Sequence, residues 1–208
     1  MAINISRVED AARRCIDVAA SAVGLTLLAA PMAAIALGIK VSSPGPVFFT
    51  QERVGKGGEP FKLIKFRSMR PAQDGKAAQV TAGGDPRITK IGAFLRDWKL
   101  DELPQLINVL KGDMSLVGPR PEVPRYTQHW PQQQATVILS VRPGITDPVT
   151  VQLRDEEALL AAQEDPERYY IETLLPEKAA RYTKYVRSRT LLQDLQTILA
   201  TVKAVVRK

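Results

Sequence analysis

The 208 residues include a single cysteine and a single histidine, and aromatic side chains make up only 6% of them. Cys15 alone can build neither an intramolecular disulfide framework nor a cysteine-based zinc site. His129 alone excludes a polyhistidine metal centre and leaves a Ser-His-Asp triad little to draw on; it lies in a polar stretch, Tyr126 to Gln134, and reads as an exposed surface residue. Carboxylates and cations must therefore carry any chemistry. Negative charge is the minor sign: 29 Lys and Arg against 22 Asp and Glu give a formal charge of +7. Such a surface attracts polyanions, whether nucleic acid, an anionic lipid surface or a phosphorylated substrate, and charge alone does not choose among them. With 45% apolar residues, the chain is long enough for one packed domain and an appended element.

Charge is missing altogether from Val18 to Ile39, a stretch of mostly Ala, Leu, Val and Ile that is long enough to span the hydrocarbon core as one helix. It is too long for a cleaved signal peptide and runs directly into Lys40. Three readings stand: a crossing helix, a re-entrant hairpin and a soluble core helix. Arg7, Arg13 and Arg14 precede the stretch, and Lys40, Arg53 and Lys56 follow it. Cationic flanks stay on the cytoplasmic side, so both ends belong on one face, as a hairpin allows. Pro31 supplies the break, since it lacks an N–H and clashes with the carbonyl four residues back. Thr26 and Ser21 are the hydroxyls that could serve freed backbone groups, and Asp17 can pair with Arg13.

Turn chemistry at Ser42-Ser43-Pro44-Gly45-Pro46 ends this segment. Val47-Phe48-Phe49 and Phe61 to Phe66 then predict a β-hairpin around Gly55-Lys56-Gly57-Gly58. Pro71 to Gly84 is polar and turn-rich and reads as a loop. From Thr89 to Lys99, Ile91, Phe94, Leu95 and Trp98 recur at helical spacing among cations; the helix either faces a core or lies in a headgroup layer. Leu100 to Leu110 predicts a second helix with Asp101 and Glu102 in its first turn. Further helices are expected over Glu156 to Gln163 and from about Ser188 to Val206, the last with Leu191, Leu192, Leu195, Ile198, Leu199 and Val202 on one side. The expected class is helix-dominated α+β with a small β-hairpin or sheet and amphipathic interfacial helices, residues 1–41 forming a re-entrant membrane hairpin and 42–208 a cytoplasmic domain.

Three runs combine charge with special backbone: Lys65-Phe66-Arg67-Ser68-Met69, Leu100-Asp101-Glu102-Leu103-Pro104-Gln105, and Gly118-Pro119-Arg120-Pro121-Glu122. Asp101 and Glu102 could simply be favourable helix-start residues. Arg120, fixed by a proline on each side, suits a guanidinium held for a phosphate, or a surface turn.

In order along the chain, these runs together with Ser43-Pro44-Gly45-Pro46-Val47-Phe48-Phe49, Gln51 to Gly55, Asp113 to Pro121 and Arg142-Pro143-Gly144-Ile145-Thr146 resemble the monotopic phosphoglycosyl transferases, the bacterial sugar transferase family. The likeness runs from Arg14 to about Thr146. It implies transfer of a sugar-1-phosphate from a UDP-sugar to polyprenyl phosphate with release of UMP and a requirement for Mg²⁺. The setting would be the cytoplasmic face of a bacterial inner membrane, in contact with phospholipids, at the first membrane step of exopolysaccharide or lipopolysaccharide assembly. Carried over, Asp101 is the nucleophile and a metal contact, Glu102 its partner, and Pro31 the hairpin break. Arg96 faces the dyad or a lipid phosphate, Arg120 holds a phosphate or the uridine side, and Lys65, Arg67 and Arg142 are further cationic contacts. A carboxylate nucleophile needs a metal and a helix N-terminus to work on a diphosphate. Two positions depart from the commoner pattern: Ala30 replaces serine before Pro31, and Asp147-Pro148-Val149 replaces glycine and an aromatic. The sugar and the oligomeric state are left open. A membrane scaffold is the alternative that the acidic pair argues against. A nucleic-acid binder is disfavoured because the cations are scattered and not interleaved with stacking aromatics.

Overall fold

The computed structural model describes residues 7–70, 85–149 and 156–206; the polar stretch from Pro71 to Gly84 lies outside them. Helix α1, Arg7–Ser42, is rich in Ala and Leu and stays helical through Pro31, so the break expected there does not interrupt it. By length and composition it could cross a membrane, and only 6% of its most apolar window is buried. Its protein-facing side changes character along its length. The first half docks through polar groups: Arg14 donates to the carbonyls of Val109 and Leu110 at 2.6 and 2.9 Å, and Asp17 accepts from the Leu116 N–H at 2.9 Å. The second half docks through Met32, Ile35, Ala36 and Ile39, which pack with Phe66, Leu95, Leu100 and Leu103. Thr26 donates to the Ala22 carbonyl at 2.9 Å, while the buried Ser21 hydroxyl has no hydrogen-bond partner. Neither hydroxyl therefore reaches the Leu27 carbonyl, the group that Pro31 leaves without its helical donor.

The hairpin forms as read. Strands β1 (Phe48–Val54) and β2 (Pro60–Phe66) pair antiparallel, with Phe48 opposite Phe66 and Val54 opposite Pro60. The turn between them needs φ of 75° at Gly57 and 86° at Gly58, open to residues without Cβ. Helix α2, Lys90–Asp97, starts where the Thr89 hydroxyl accepts from the Gly92 N–H at 2.9 Å. Gly92 lies so close to the Ser68 carbonyl that a Cβ there would sit 1.9 Å from its oxygen. After α2 the chain reverses at Lys99, in the left-handed region with φ 54°, and makes a 3₁₀ turn at Leu100–Glu102 before helix α3, Gln105–Lys111.

Asn108 joins α3 to β2. Fully buried, it accepts from the Ile64 N–H at 3.0 Å and donates to the Lys62 carbonyl at 2.8 Å. Strands β3 (Ser115–Val117) and β4 (Gly144–Thr146) then form a short parallel pair. Short helices α4 (Pro124–Thr127), α5 (Gln132–Ile138), α6 (Glu156–Ala161) and α7 (Pro166–Tyr169) lead through a π-helical turn at Tyr170–Leu174 into α8, Leu175–Ser188, and α9, Leu191–Val206. Tyr126, Trp130, Ile138, Leu160, Tyr170, Leu175 and Tyr182 make the largest apolar cluster of this half. The expected class, helix-dominated α+β, holds.

Candidate active site

The reversal at Lys99 and the 3₁₀ turn put Asp101 and Glu102 side by side, with Leu100 and Leu103 anchoring the turn in the cluster around Ile39, Phe66 and Leu95. Pro104 occupies the N-cap of α3, so the acidic pair precedes that helix instead of forming its first turn. The local sequence satisfies both arrangements, because a 3₁₀ turn and the first turn of an α-helix accept the same residues. The ionised state of Asp101 therefore depends on nearby cations more than on a macrodipole.

Asp101 is 6% exposed, and its Oδ1 has no hydrogen-bond partner. Burial and then the charge of Glu102 push its pKa up to about 6, against the pull of Lys65, Lys99 and Arg96. Glu102 behaves oppositely. Burial would raise its pKa, but the charge and hydrogen bond of Arg120, with Lys99 and Lys65, outweigh it and hold the carboxyl below its ordinary value. Arg120 donates to Glu102 Oε1 at 2.7 Å, and the charge of Glu102 raises the guanidinium pKa well above its ordinary range. Two adjacent carboxylates are thus separated into one firmly ionised and one close to its titration point.

The backbone around Arg120 is fixed from both sides. Gly118 N–H donates to the Thr146 carbonyl at 3.1 Å, Gly144 N–H donates to Pro119 at 2.9 Å, and Arg53 donates to the Pro121 carbonyl at 2.8 Å. A Cβ on Gly118 or Gly144 would meet the neighbouring backbone at 2.5 or 2.1 Å, so the β3–β4 crossing requires glycine at both. Lys65 comes from β2, its ammonium 5.2 Å over the Phe49 ring. Burial lowers its pKa, while Asp101 and Glu102 act to raise it.

Arg96 reaches Met69 Sδ at 3.8 Å and lies within the field of Asp101. The other two expected cations point elsewhere. Arg67, 6% exposed, donates to the carbonyls of Pro44 and Ser43 at 2.8 Å each and to Ser43 Oγ at 2.9 Å, closing the turn after α1. Arg142 donates to the Gly112 carbonyl at 2.9 Å, beside the first half of α1. Lys99 and Arg53 belong to the site but were not among the residues singled out. Arg53 lies within the run Gln51 to Gly55 but nothing in that run gives it a role, and the left-handed backbone of Lys99 leaves no mark in residue pattern. His129 is exposed.

Among the described residues no group of three or more His, Cys, Asp and Glu could hold a metal. Asp101 and Glu102 do fit a hard cation of the Mg²⁺ kind, which takes one or two carboxylates and completes its shell with water and substrate phosphates. The partnerless Oδ1 of Asp101 suits that role. A buried acidic pair backed by Arg120, Lys65 and Lys99 is an arrangement that suits an anionic substrate.

The chain belongs to the bacterial sugar transferase family, whose model matches residues 8–208. It is 38% identical over 196 residues to the UDP-glucose:undecaprenyl-phosphate glucose-1-phosphate transferase of Caulobacter vibrioides, covering 93% of this chain and 69% of that protein. An Escherichia coli protein of the same name is 44% identical over 144 residues, covering 68% of this chain and 31% of its own length. The UDP-N-acetylgalactosamine-undecaprenyl-phosphate N-acetylgalactosaminephosphotransferase of Aeromonas hydrophila is 43% identical over 136 residues, covering 64% of this chain and 32% of its own length. The chain thus spans about a third of the last two. Their names carry different sugars, so similarity at this level does not fix the sugar.

Proposed function

We infer that this chain transfers a sugar-1-phosphate from a UDP-sugar to undecaprenyl phosphate and releases UMP through a covalent aspartyl-phosphosugar intermediate. The observation that carries this reading is the buried Asp101, near its titration point beside a Glu102 held ionised by Arg120. An oxygen of Asp101 attacks the β-phosphorus of the donor, the bond from that phosphorus to the bridging oxygen breaks, and UMP leaves with the bridging oxygen. An oxygen of the lipid phosphate then attacks the same phosphorus and frees Asp101. Arg120, Lys65, Lys99 and Arg96 orient the diphosphate and stabilise charge that develops on the bridging oxygen. Bound at Asp101 and Glu102, Mg²⁺ would neutralise the diphosphate and polarise the reacting phosphorus.

The membrane reading is re-entrant insertion of residues 1–41 from the cytoplasmic face of a bacterial inner membrane, with α1 one helix through Pro31 and 42–208 as the transferase unit. Its support is that both halves of α1 pack against the same unit, with Arg13, Arg14 and Lys40 flanking the uncharged stretch. Such a reaction would begin the membrane phase of a glycan pathway of the exopolysaccharide or lipopolysaccharide kind. The test is UMP release from a panel of UDP-sugars with Mg²⁺. One equivalent without lipid, and turnover with undecaprenyl phosphate, are expected for the native protein; Asp101→Asn should give neither. Turnover by Asp101→Asn would refute the covalent route, and a donor that turns over without any lipid-free burst would point to direct transfer.

A further inference from the structure

Between the end of β3 at Val117 and the start of α4 at Pro124, the run that carries Arg120 is neither helix nor strand. Pro119 and Pro121 have no N–H to donate, so the course of this run is set by what grips it from outside. Upstream, β4 holds it through the bonds of Gly118 and Gly144. Downstream, β1 holds its backbone: Arg53 donates to the Pro121 carbonyl at 2.8 Å, and the Val54 N–H to the Glu122 carbonyl at 2.9 Å. The Glu122 side chain is bound by different elements, and it is 5% exposed.

Its partners come from the second half of the chain. The hydroxyl of Tyr170, in the π-helical turn, donates to Glu122 Oε1, and the Lys178 ammonium of α8 lies 3.6 Å from the same oxygen. Lys178, 3% exposed, also donates to the Tyr170 hydroxyl at 3.2 Å and to Glu156, the first residue of α6, at 3.1 Å. The same turn and helix supply Leu174, Leu175 and Tyr182 to the large apolar cluster. A buried ionic group returns little net stability there, because desolvation of its charges offsets their attraction. What it does give is location: a carboxylate bound by one hydroxyl and one ammonium has a single place to be, whereas an apolar side chain could slide.

We propose that Glu122, held by Lys178 and Tyr170, is a positioning residue for Arg120. It fixes the downstream end of the run and so the place where the guanidinium meets Glu102 and the diphosphate of the donor. Only Pro121 separates the two residues, and its ring locks one of the few torsions that could absorb a shift between them. Arg120 donates to Glu102 at 2.7 Å. A displacement of about 1 Å would break that bond, and a misplacement of this size can cost about a hundredfold in rate. The effect on rate rests on the transfer reading given above; the effect on the order of Arg120 does not.

The experiment uses the full chain in detergent. Glu122→Gln keeps the shape of the side chain and an acceptor for Tyr170 while removing the charge; Lys178→Met is the harsher change, and thermal unfolding shows whether each variant is folded. Both are made alone and together with Arg120→Lys. In the burst of UMP from a UDP-sugar, Glu122→Gln should lower the rate about tenfold beside Arg120 but by less than about twofold beside Arg120→Lys, with the same loss of melting temperature in both backgrounds. An equal loss of rate in both backgrounds, or no loss in folded Glu122→Gln, overturns the proposal in favour of a structural role. The second readout needs no transfer. In protein labelled with ¹⁵N-arginine, the Arg120 Nε–H cross-peak, assigned by its disappearance in Arg120→Lys, should be sharp and slow to exchange with water in the native chain. It should broaden and exchange faster in Glu122→Gln and Lys178→Met, and an unchanged cross-peak in the folded variants overturns the proposal. Should the native protein give no burst from any donor, the transfer reading fails and the cross-peak alone decides the positioning role. Glu172→Gln, in the same π-helical turn but exposed and paired with Arg168 at 3.0 Å, should alter neither rate nor cross-peak.

Discussion

Replacing Glu102 by Gln should move the acid limb of the first half-reaction down in pH, and replacing Lys65 by Met should move it up. Asp101 has its pKa raised from 3.8 to about 6, by burial first and by Glu102 second, with Lys65 the largest opposing charge. The rise corresponds to about 3 kcal/mol against the ionised form. Only that form is a nucleophile. A group with this pKa is about nine-tenths ionised at pH 7 and about one-tenth at pH 5, so the rate should fall about tenfold per pH unit on the acid side. Glu102→Gln removes a negative neighbour and brings the limb toward the ordinary carboxylate range; Lys65→Met removes a cation and carries it above the native position. The assay is the burst of UMP from the UDP-sugar without lipid acceptor, at fixed ionic strength, because a phosphate monoester has its own second ionisation near pH 6 that would overlap the limb. The position of the limb is the readout, since Glu102→Gln will also lower the plateau. Mg²⁺ bound at the pair would itself lower the limb, so the test is the direction of each shift: shifts of the same sign in both variants would refute the electrostatic account.

Three further outcomes follow from the same geometry. Asp101 has a folded pKa above its unfolded value, so its ionisation weakens the fold as pH rises through about 6 and is neutral below about 4; Asp101→Asn should unfold at a higher temperature than the native protein at about pH 8 but not at about pH 4, by thermal unfolding in detergent. Asn108→Ala leaves the Ile64 N–H and Lys62 carbonyl unsatisfied where β2 meets α3, and should cost roughly 2–4 kcal/mol in denaturant unfolding. Gly92→Ala would place a methyl carbon 1.9 Å from the Ser68 carbonyl oxygen. Rigid backbone on both sides cannot yield that far, so α2 should be displaced and transfer lost, whereas Ala93→Gly, at an exposed neighbouring position, should cost only about 1 kcal/mol of helix stability.

The residues that could be read from sequence were those whose spacing admits one geometry. Gly55-Lys56-Gly57-Gly58 between two aromatic-rich runs specifies a hairpin, and Thr89 followed by a helical repeat specifies where α2 begins. Strands β3 and β4 are only three residues long each, too short for an alternating pattern to show. Helix α8 did carry a signal, with Leu175, Ala179, Tyr182 and Val186 buried at helical spacing, but the buried Lys178 in the same stripe interrupts it. That ammonium is satisfied by Glu156 at 3.1 Å and by the Tyr170 hydroxyl at 3.2 Å, partners outside α8 that helical spacing does not reveal. The cations divide for a similar reason. Arg67, Arg120 and Arg142 look alike in their motifs, yet a guanidinium serves backbone carbonyls as well as carboxylates, and only the fold decides which it meets. In α9 the apolar spacing was legible, whereas the direction of that face was set by Arg13, which donates to Asp194 from far away in the chain.

The second half of α1 is as much a wall of the active site as an anchor, and Ile39→Ala tests that directly. Ile39 is 1% exposed and packs in one cluster with Phe66, Leu95, Leu100 and Leu103. The last two bracket Asp101 and Glu102, so the packing that seats α1 is also the packing that keeps Asp101 out of water. Truncating Ile39 should destabilise this cluster by roughly 2–5 kcal/mol, depending on how far the cavity collapses. If the 3₁₀ turn loosens in response, water reaches Asp101, the largest contribution to its raised pKa weakens, and the acid limb of the UMP burst should slide down although no charge has been changed. Leu37→Ala is the control: it lies two residues away on α1 but is 67% exposed, so it should leave the limb in place. A limb unmoved by Ile39→Ala, in protein confirmed to be folded, would show that the burial of Asp101 does not depend on α1. A downward shift confined to Ile39→Ala would mean that α1 helps set the reactivity of Asp101 through side-chain packing.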